Sequence, residues 1–277
     1  MKSRFLLLFL MLFITNLIAS QTVHDPNSDI YRDIDRWFVQ GYVRQFLPLT
    51  RPYPAPLVIN ILDEVISNGN AGARQKATEY KEMLVRGSRI IHPGFLSHMQ
   101  GKNEDYGLIF APFAEGHFYL HDLLTASYSF YVYGITDEDG ERFNVPHTYT
   151  PYADFIPDDA DVGSIILRQN WTSLVAFGKS DIYIQAGLSR TSVGPFYDNS
   201  IIVGPQAPKA GHLSFVFRKP MWSLEMLFLT LSASDDFGQD DFAGKYSIVH
   251  NISFRPFKSL ELGFIQAMIW GGRFEVM

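Results

Sequence analysis

The C-terminal two thirds of the chain alternates with a period of two. In Lys245 to Phe254, Tyr246, Ile248, Ile252 and Phe254 fall on one side, and Ser247, Asn251 and Ser253 on the other. In Ser259 to Trp270, Leu260, Leu262, Phe264, Met268 and Trp270 alternate with Glu261, Gly263 and Ala267. Leu213, Phe215 and Phe217 alternate with Ser214 and Arg218, and Ile182, Ile184, Ala186 and Leu188 with Tyr183, Gln185, Gly187 and Ser189. Side chains of a strand point to opposite faces in turn, so these segments predict strands with two chemically different faces. Several approach the roughly 9–11 residues that a tilted strand needs to cross a bilayer, and soluble strands are usually shorter, about 5–6 residues. Some eight or nine strands are expected from about Tyr106 onward.

Residues 28 to 87 follow a helical pattern instead. Ser28 or Asp29 can cap a helix in which Ile30, Ile34, Trp37, Phe38 and Gly41 share a face, with Pro48 as its stop. The prolines of TRPYPAP, Thr50 to Pro56, forbid helix continuation. A second helix is expected with Leu57, Ile61, Leu62 and Val65 on one stripe, stopped by Asn68-Gly69-Asn70, and a third over Ala73 to Val85.

The connections sort by length and by charge. Phe177 to Asp181, Arg218 to Met221 and Arg255 to Ser259 are short. Gly134 to Gly163, Thr191 to Gly211 and Ala233 to Gly244 are long. Short and long alternate along the chain, as do the short inner turns and long outer loops of outer-membrane barrels. The short turns carry Lys179, Arg218, Lys219, Arg255 and Lys258, whereas Gly134 to Gly163 is rich in Asp and Glu. Phe177, Phe217, Trp222, Phe254 and Trp270 sit near strand ends, where an interfacial aromatic girdle belongs. The expected fold is therefore mainly β: an antiparallel transmembrane β-barrel, or part of one, preceded by a small helical region. Residues 1–20 are expected to be a signal peptide, 21–100 the helical region and 101–277 the barrel strands.

Composition narrows this further. The 277 residues include no cysteine, which excludes disulfides and thiolate metal sites. The net charge of −6 gives no sign of a nucleic-acid partner. Lys2 and Arg4, the apolar run Phe5 to Ile14 and the small residues Ala19 and Ser20 form a secretory signal pattern, so the chain is expected to be exported. No later segment is apolar and long enough to predict a spanning helix.

Chemistry-bearing motifs are sparse. No Gly-x-Ser-x-Gly elbow or phosphate-binding glycine loop occurs. His117 and His121 lie in a strand-rich stretch and are expected to be ordinary polar positions. His92 and His98 flank Pro93-Gly94, which predicts a turn. The acidic runs Asp137 to Gly140 and Asp158 to Asp161 do not have the spacing of a calcium loop. No catalytic, metal or cofactor site is expected.

Two segments resemble the capsule-assembly Wzi-type family of outer-membrane proteins. TRPYPAPLVINIL, after an amphipathic helix, is similar to an N-terminal element of that family. The second segment has Gly187 and Arg190 at a strand end, Gly194-Pro195, the apolar run Ser200 to Val203, and Ala207-Pro208. The following strand, His212 to Phe217, and the hairpin from Lys245 to Trp270 fit in order. The resemblance implies a barrel with a helical bundle on its periplasmic side, in a non-catalytic role holding surface or capsular polysaccharide. It also implies the outer-membrane lipid and the barrel-assembly machinery as partners. The family's barrels have more strands than this chain supplies, so a truncated member, a smaller closed barrel or pairing with something else is expected. Sugar rings stack on aromatic faces and sugar hydroxyls pair with polar side chains. That makes Tyr149, Tyr152, Arg190, Tyr197, Asn199 and Gln206 the candidate glycan contacts. A pore for small solutes and an outer-membrane enzyme acting on lipid or glycan remain the alternatives.

Overall fold

The computed structural model describes residues 25–86, 92–102, 105–120, 123–136, 160–162, 165–194, 200, 202–231, 245–257 and 260–271. The expected signal peptide lies outside them. The chain divides into two compact units. One is formed from Arg89–Gly116 and Tyr128–Thr172, the other from Gln21–Ser88, His117–Ser127 and Ser173–Met277.

Three helices form a layer in the second unit: α1 (Asp29–Val39), α2 (Ala55–Asn68) and α3 (Ala71–Arg86). Ser28 occupies the N-cap of α1. The helix ends well before Pro48, because Gly41 adopts φ +77 and its amide bonds back to the Phe38 carbonyl. This is the left-handed C-terminal stop that glycine makes at least cost. Asn70 separates α2 from α3 and caps the latter, its Oδ1 accepting the Ala73 N–H at 2.9 Å. Ile30, Ile34 and Trp37 of α1 interdigitate with Leu57, Ile61, Leu62 and Val65 of α2 and with Ala77, Tyr80 and Leu84 of α3. Buried Asp33 ties α1 to α3. It accepts the Tyr80 hydroxyl at 2.7 Å and Lys76 Nζ at 2.6 Å, and also pairs with Arg36.

The rest is an antiparallel sheet. Its long strands are β2 (His92–Lys102), β3 (Asp105–Leu120), β4 (Leu124–Thr136), β6 (Ile165–Lys179), β7 (Ile182–Ser189), β9 (Ala210–Lys219), β10 (Trp222–Leu231), β11 (Lys245–Phe257) and β12 (Leu260–Gly271). Hydrogen-bonded neighbours follow the order β12-β11-β10-β9-β7-β6-β4-β3-β2, with the short β5 (Ala160–Val162) beside β6. Among the described residues no ladder joins β12 to β2, and no closed barrel is seen. Two further two-residue strands, β1 (Thr50–Arg51) and β8 (Ser192–Val193), pair with each other, and Val193 also bridges Val203.

Two expectations are corrected. Pro93-Gly94 is not a turn: both residues lie in β2, opposite Ala114 and Phe113 of β3. Proline is tolerated there because β2 has one partner, β3, among the described residues. A Cβ on Gly94 would lie 2.1 Å from the Phe113 ring, so the aromatic covers the glycine as side chains do across designed barrel strands. The strands also begin at His92, earlier than the expected boundary at 101. The turns at Ser180-Asp181 and Pro220-Met221 are as short as the sequence predicts.

Candidate functional site

Arg51, Pro52 and Tyr53 form a buried knot in the second unit. The Arg51 guanidinium pairs with both carboxylate oxygens of Asp35 on α1, at 2.9 Å from Nη1 to Oδ2 and with Nη2 on Oδ1. Its carbon lies 5.5 Å from the Tyr31 ring centroid and 5.7 Å from that of Tyr53, within cation–π range. The Tyr53 amide donates to the Tyr31 hydroxyl at 2.6 Å, and the Tyr53 hydroxyl donates to the Pro48 carbonyl at 2.7 Å. Arginine's planar fork makes the double carboxylate contact that lysine could not.

Burial raises the Tyr31 phenol above its ordinary range and pushes Tyr53 up to about 12. An unfolded tyrosine ionises near pH 10 (about 10). Both groups therefore favour the folded state fully below that pH; the Tyr53 contribution is lost as pH rises from about 10 through about 12, and that of Tyr31 is lost at still higher pH. The helical circular dichroism signal and the phenolate absorbance of the full chain are expected to change together in that window. Phenolate formation at ordinary pH with the helical signal unchanged would contradict the burial.

The segment holding this knot lies on one face of the sheet, here the inner face. Glu225 of β10 is the principal anchor. Its Oε1 accepts the Leu49 amide at 3.0 Å, the Ser223 hydroxyl at 3.1 Å and Asn251 Nδ2 at 3.0 Å, and its Oε2 accepts the Thr50 amide at 2.8 Å. Gln185 of β7 donates to the Pro52 carbonyl at 3.1 Å, and Arg218 of β9 donates to the Phe46 carbonyl at 2.6 Å. Arg255 of β11 donates to the Arg44 carbonyl at 3.3 Å and stacks on Phe46. A non-helical stretch needs partners for its buried amides and carbonyls, and these strand side chains supply them. Tyr183 and Val216, also on the inner face, join the core of the helical layer.

The chain after β7 folds onto the same face. Thr50 pairs with Val193 and Arg51 with Ser192. Gly194 donates to the Leu49 carbonyl at 3.2 Å, and Val193 donates to the Val203 carbonyl at 2.9 Å. Gly194 has φ +144, and a Cβ there would come within 2.7 Å of Ser200 Oγ, so glycine is required on both counts. Ile202 and Val203 pack on Leu227, Leu229 and Val249. Asn27 Nδ2 donates to the Pro205 carbonyl at 2.6 Å.

Many of the remaining inner positions are polar, although Leu174, Ala176 and Ala210 also face inward. Ser189, His212, Ser214, Ser247, Asn251 and Ser253 are all buried there. The opposite, outer positions of the same strands are apolar and open: Ile184, Leu213, Met226, Ile252 and Phe254 are each between 39% and 53% exposed. In the other unit Ser129, Asn170 and Glu115 are likewise buried, and Phe130 and Trp171 exposed. Aromatic rings bound the outer face of the second unit at two levels. Phe217 meets Trp222 edge to face, with centroids 5.1 Å apart, near the short turns. Phe228, Tyr246 and Trp270 cluster at the other level, with centroids 5.8 to 6.1 Å apart. Trp222 and Phe228 lie on one strand, six residues or roughly 20 Å apart along it.

Of the six candidate glycan contacts, Arg190 is buried at 7% exposure beside the β1–β8 pair and Gln206 is exposed. Tyr149, Tyr152, Tyr197 and Asn199 lie outside the described residues. The residues that organise the inner face are Gln185, Arg218, Glu225 and Asn251, none of which stood among the candidates. Their signal in the sequence is an isolated polar residue inside an otherwise apolar strand, as in WSLEMLFL. Neither family models, curated proteins nor solved structures yield a match to the chain.

Proposed function

We propose that the protein is a β-barrel of the bacterial outer membrane that takes part, without catalysis, in assembling or attaching surface or capsular polysaccharide. One observation carries the membrane part of the reading: on one face the strands bury Gln185, His212, Glu225, Asn251 and several serines, and on the other they expose large apolar side chains such as Ile184, Leu213, Ile252 and Phe254. In water that arrangement costs free energy at every exposed Ile, Leu and Phe. Against hydrocarbon the same face is favourable, and aromatic rings at two levels suit the two interfaces. The polysaccharide part rests on the resemblance of the two segments around Arg51 and Arg190 to the Wzi-type family. It is supported by the fact that those segments hydrogen-bond to each other. Gly194, needed for its backbone conformation, belongs to that same pattern.

The inner face is occupied by the 44–53 stretch, so this reading expects a plugged protein. Reconstituted in planar bilayers, the full chain is expected to show little steady conductance. Cell fractionation is expected to place it with the outer membrane, with a heat-modifiable band on gels. A soluble periplasmic protein without heat-modifiable mobility sinks the membrane reading, and a large open-channel current favours solute transport. Retention on a capsular polysaccharide column is expected to fall at least severalfold in Tyr197→Ala and Gln206→Ala, both loop positions. Equal retention of both variants and the parent would remove this loop from glycan binding.

A further inference from the structure

A cavity of about 50 Å³ lies in the second unit. The start of α2 contributes Ala55 and Ile59, the end of α3 contributes Leu84 and Val85, and β6 contributes Leu174 and Ala176. Most of the lining surface is apolar, but Tyr53, His117, Thr125 and Ser127 also line the cavity, and so does Gln185. Gln185 is 1% exposed, and its Nε2 donates to the Pro52 carbonyl at 3.1 Å. That bond fixes the orientation of the amide, because a reversed amide would set two acceptor oxygens against each other. Its Oε1 is left buried with no hydrogen-bond partner among the described residues. A stranded buried acceptor costs roughly 1–3 kcal/mol, which a donor placed beside it recovers.

We infer that this cavity is a binding site for the donor-bearing end of a small aliphatic molecule, a primary alcohol or the hydroxylated end of an acyl chain. The aliphatic lining takes the carbon chain, and Gln185 Oε1 takes the hydroxyl proton. An apolar cavity of about 150 Å³ is large enough for benzene. A space of about 50 Å³ therefore takes only the last few heavy atoms of the ligand. The rest of the chain leaves past Val85, which lines the cavity and is 54% exposed. The inference stands on the cavity and the orphaned oxygen and does not depend on the membrane or polysaccharide reading.

The test uses the full purified chain with ¹³C-labelled isoleucine and leucine methyl groups, in detergent micelles or in buffer according to where it is soluble. The probes are butan-1-ol and its near-isostere methyl propyl ether, which lacks the donor. Saturable shifts of the Ile59 and Leu174 methyls are expected with the alcohol, at least tenfold weaker with the ether. Gln185→Leu is expected to abolish the preference for alcohol over ether. Ala176→Leu, which fills the cavity and leaves the amide in place, is expected to remove the response to both probes. A response equal for alcohol and ether, or one unchanged in either variant, overturns the proposal, since it reports partitioning into detergent or protein surface. The absence of any saturable shift also overturns it and leaves only water in the cavity. The helical circular dichroism signal of each variant shows that it is folded, and Ala176→Leu keeps the test decisive if Gln185→Leu does not fold.

Discussion

Met226→Arg is expected to prevent stable insertion, whereas Met221→Arg, the same change at a comparably exposed methionine, is expected to be nearly neutral. Met226 is 39% exposed and lies in the middle of the outer face, opposite Phe215 on one side and His250 on the other. Met221 is 50% exposed and lies in the short turn before β10. For a sheet bathed in water both substitutions are surface changes, worth within about 0.5 kcal/mol. For a sheet bathed in lipid, arginine at the midplane costs roughly 2–4 kcal/mol and close to nothing near the interface. Folding into lipid vesicles, titrated with guanidinium, measures the difference. Equal stability of the two variants would mean that the outer face does not meet hydrocarbon.

The second large effect belongs to Glu225. Replacing it with leucine removes the acceptor for four donors at once: the Leu49 and Thr50 amides, the Ser223 hydroxyl and the Asn251 amide. Each buried donor left bare costs roughly 1–3 kcal/mol. The cheapest relief is for the 49–50 backbone to leave the sheet and take its hydrogen bonds from water. Hydrogen exchange at Leu49 and Thr50 is expected to accelerate by roughly a hundredfold or more, since each factor of ten corresponds to about 1.4 kcal/mol. Glu225→Gln, which keeps one acceptor oxygen, is expected to fall between. Protection in Glu225→Leu equal to the parent would show that the strand pairing and Arg218 hold the segment without it. The same variant raises conductance in planar bilayers if this segment is what blocks the inner face.

The strands and their short turns were legible because alternation and turn chemistry are local properties. Tyr246 to Phe254 alternates visibly, and FGKSD and RKPM turn where they are expected to. Which face would be covered was not legible. Alternation separates Ser247 from Ile248 but does not say which of them meets solvent. The inner docking was hidden for a different reason. Thr50-Arg51 and Ser192-Val193 are too short to show any period, and their pairing is decided by Glu225, Gln185 and Gly194, distant in sequence. At the end of α1, Gly41 is a stronger local stop than the more distant Pro48, because its left-handed conformation closes the last turn. The Pro93-Gly94 misreading arose because a strand with one neighbour admits residues that an inner strand refuses.

The anchoring of the N-terminal segment also sets an order of events. Leu49 and the carboxylate that holds it are separated by 176 residues, and Phe46 and Arg218 by 172. Closing so long a loop has an entropic cost that only the later contacts can offset. A chain delivered from its N-terminus thus presents the Arg51 knot long before its receptor face exists. Until β10 is in place, the amides of Leu49 and Thr50 must be satisfied by water or by an escort, so the piece made earliest is the one secured last.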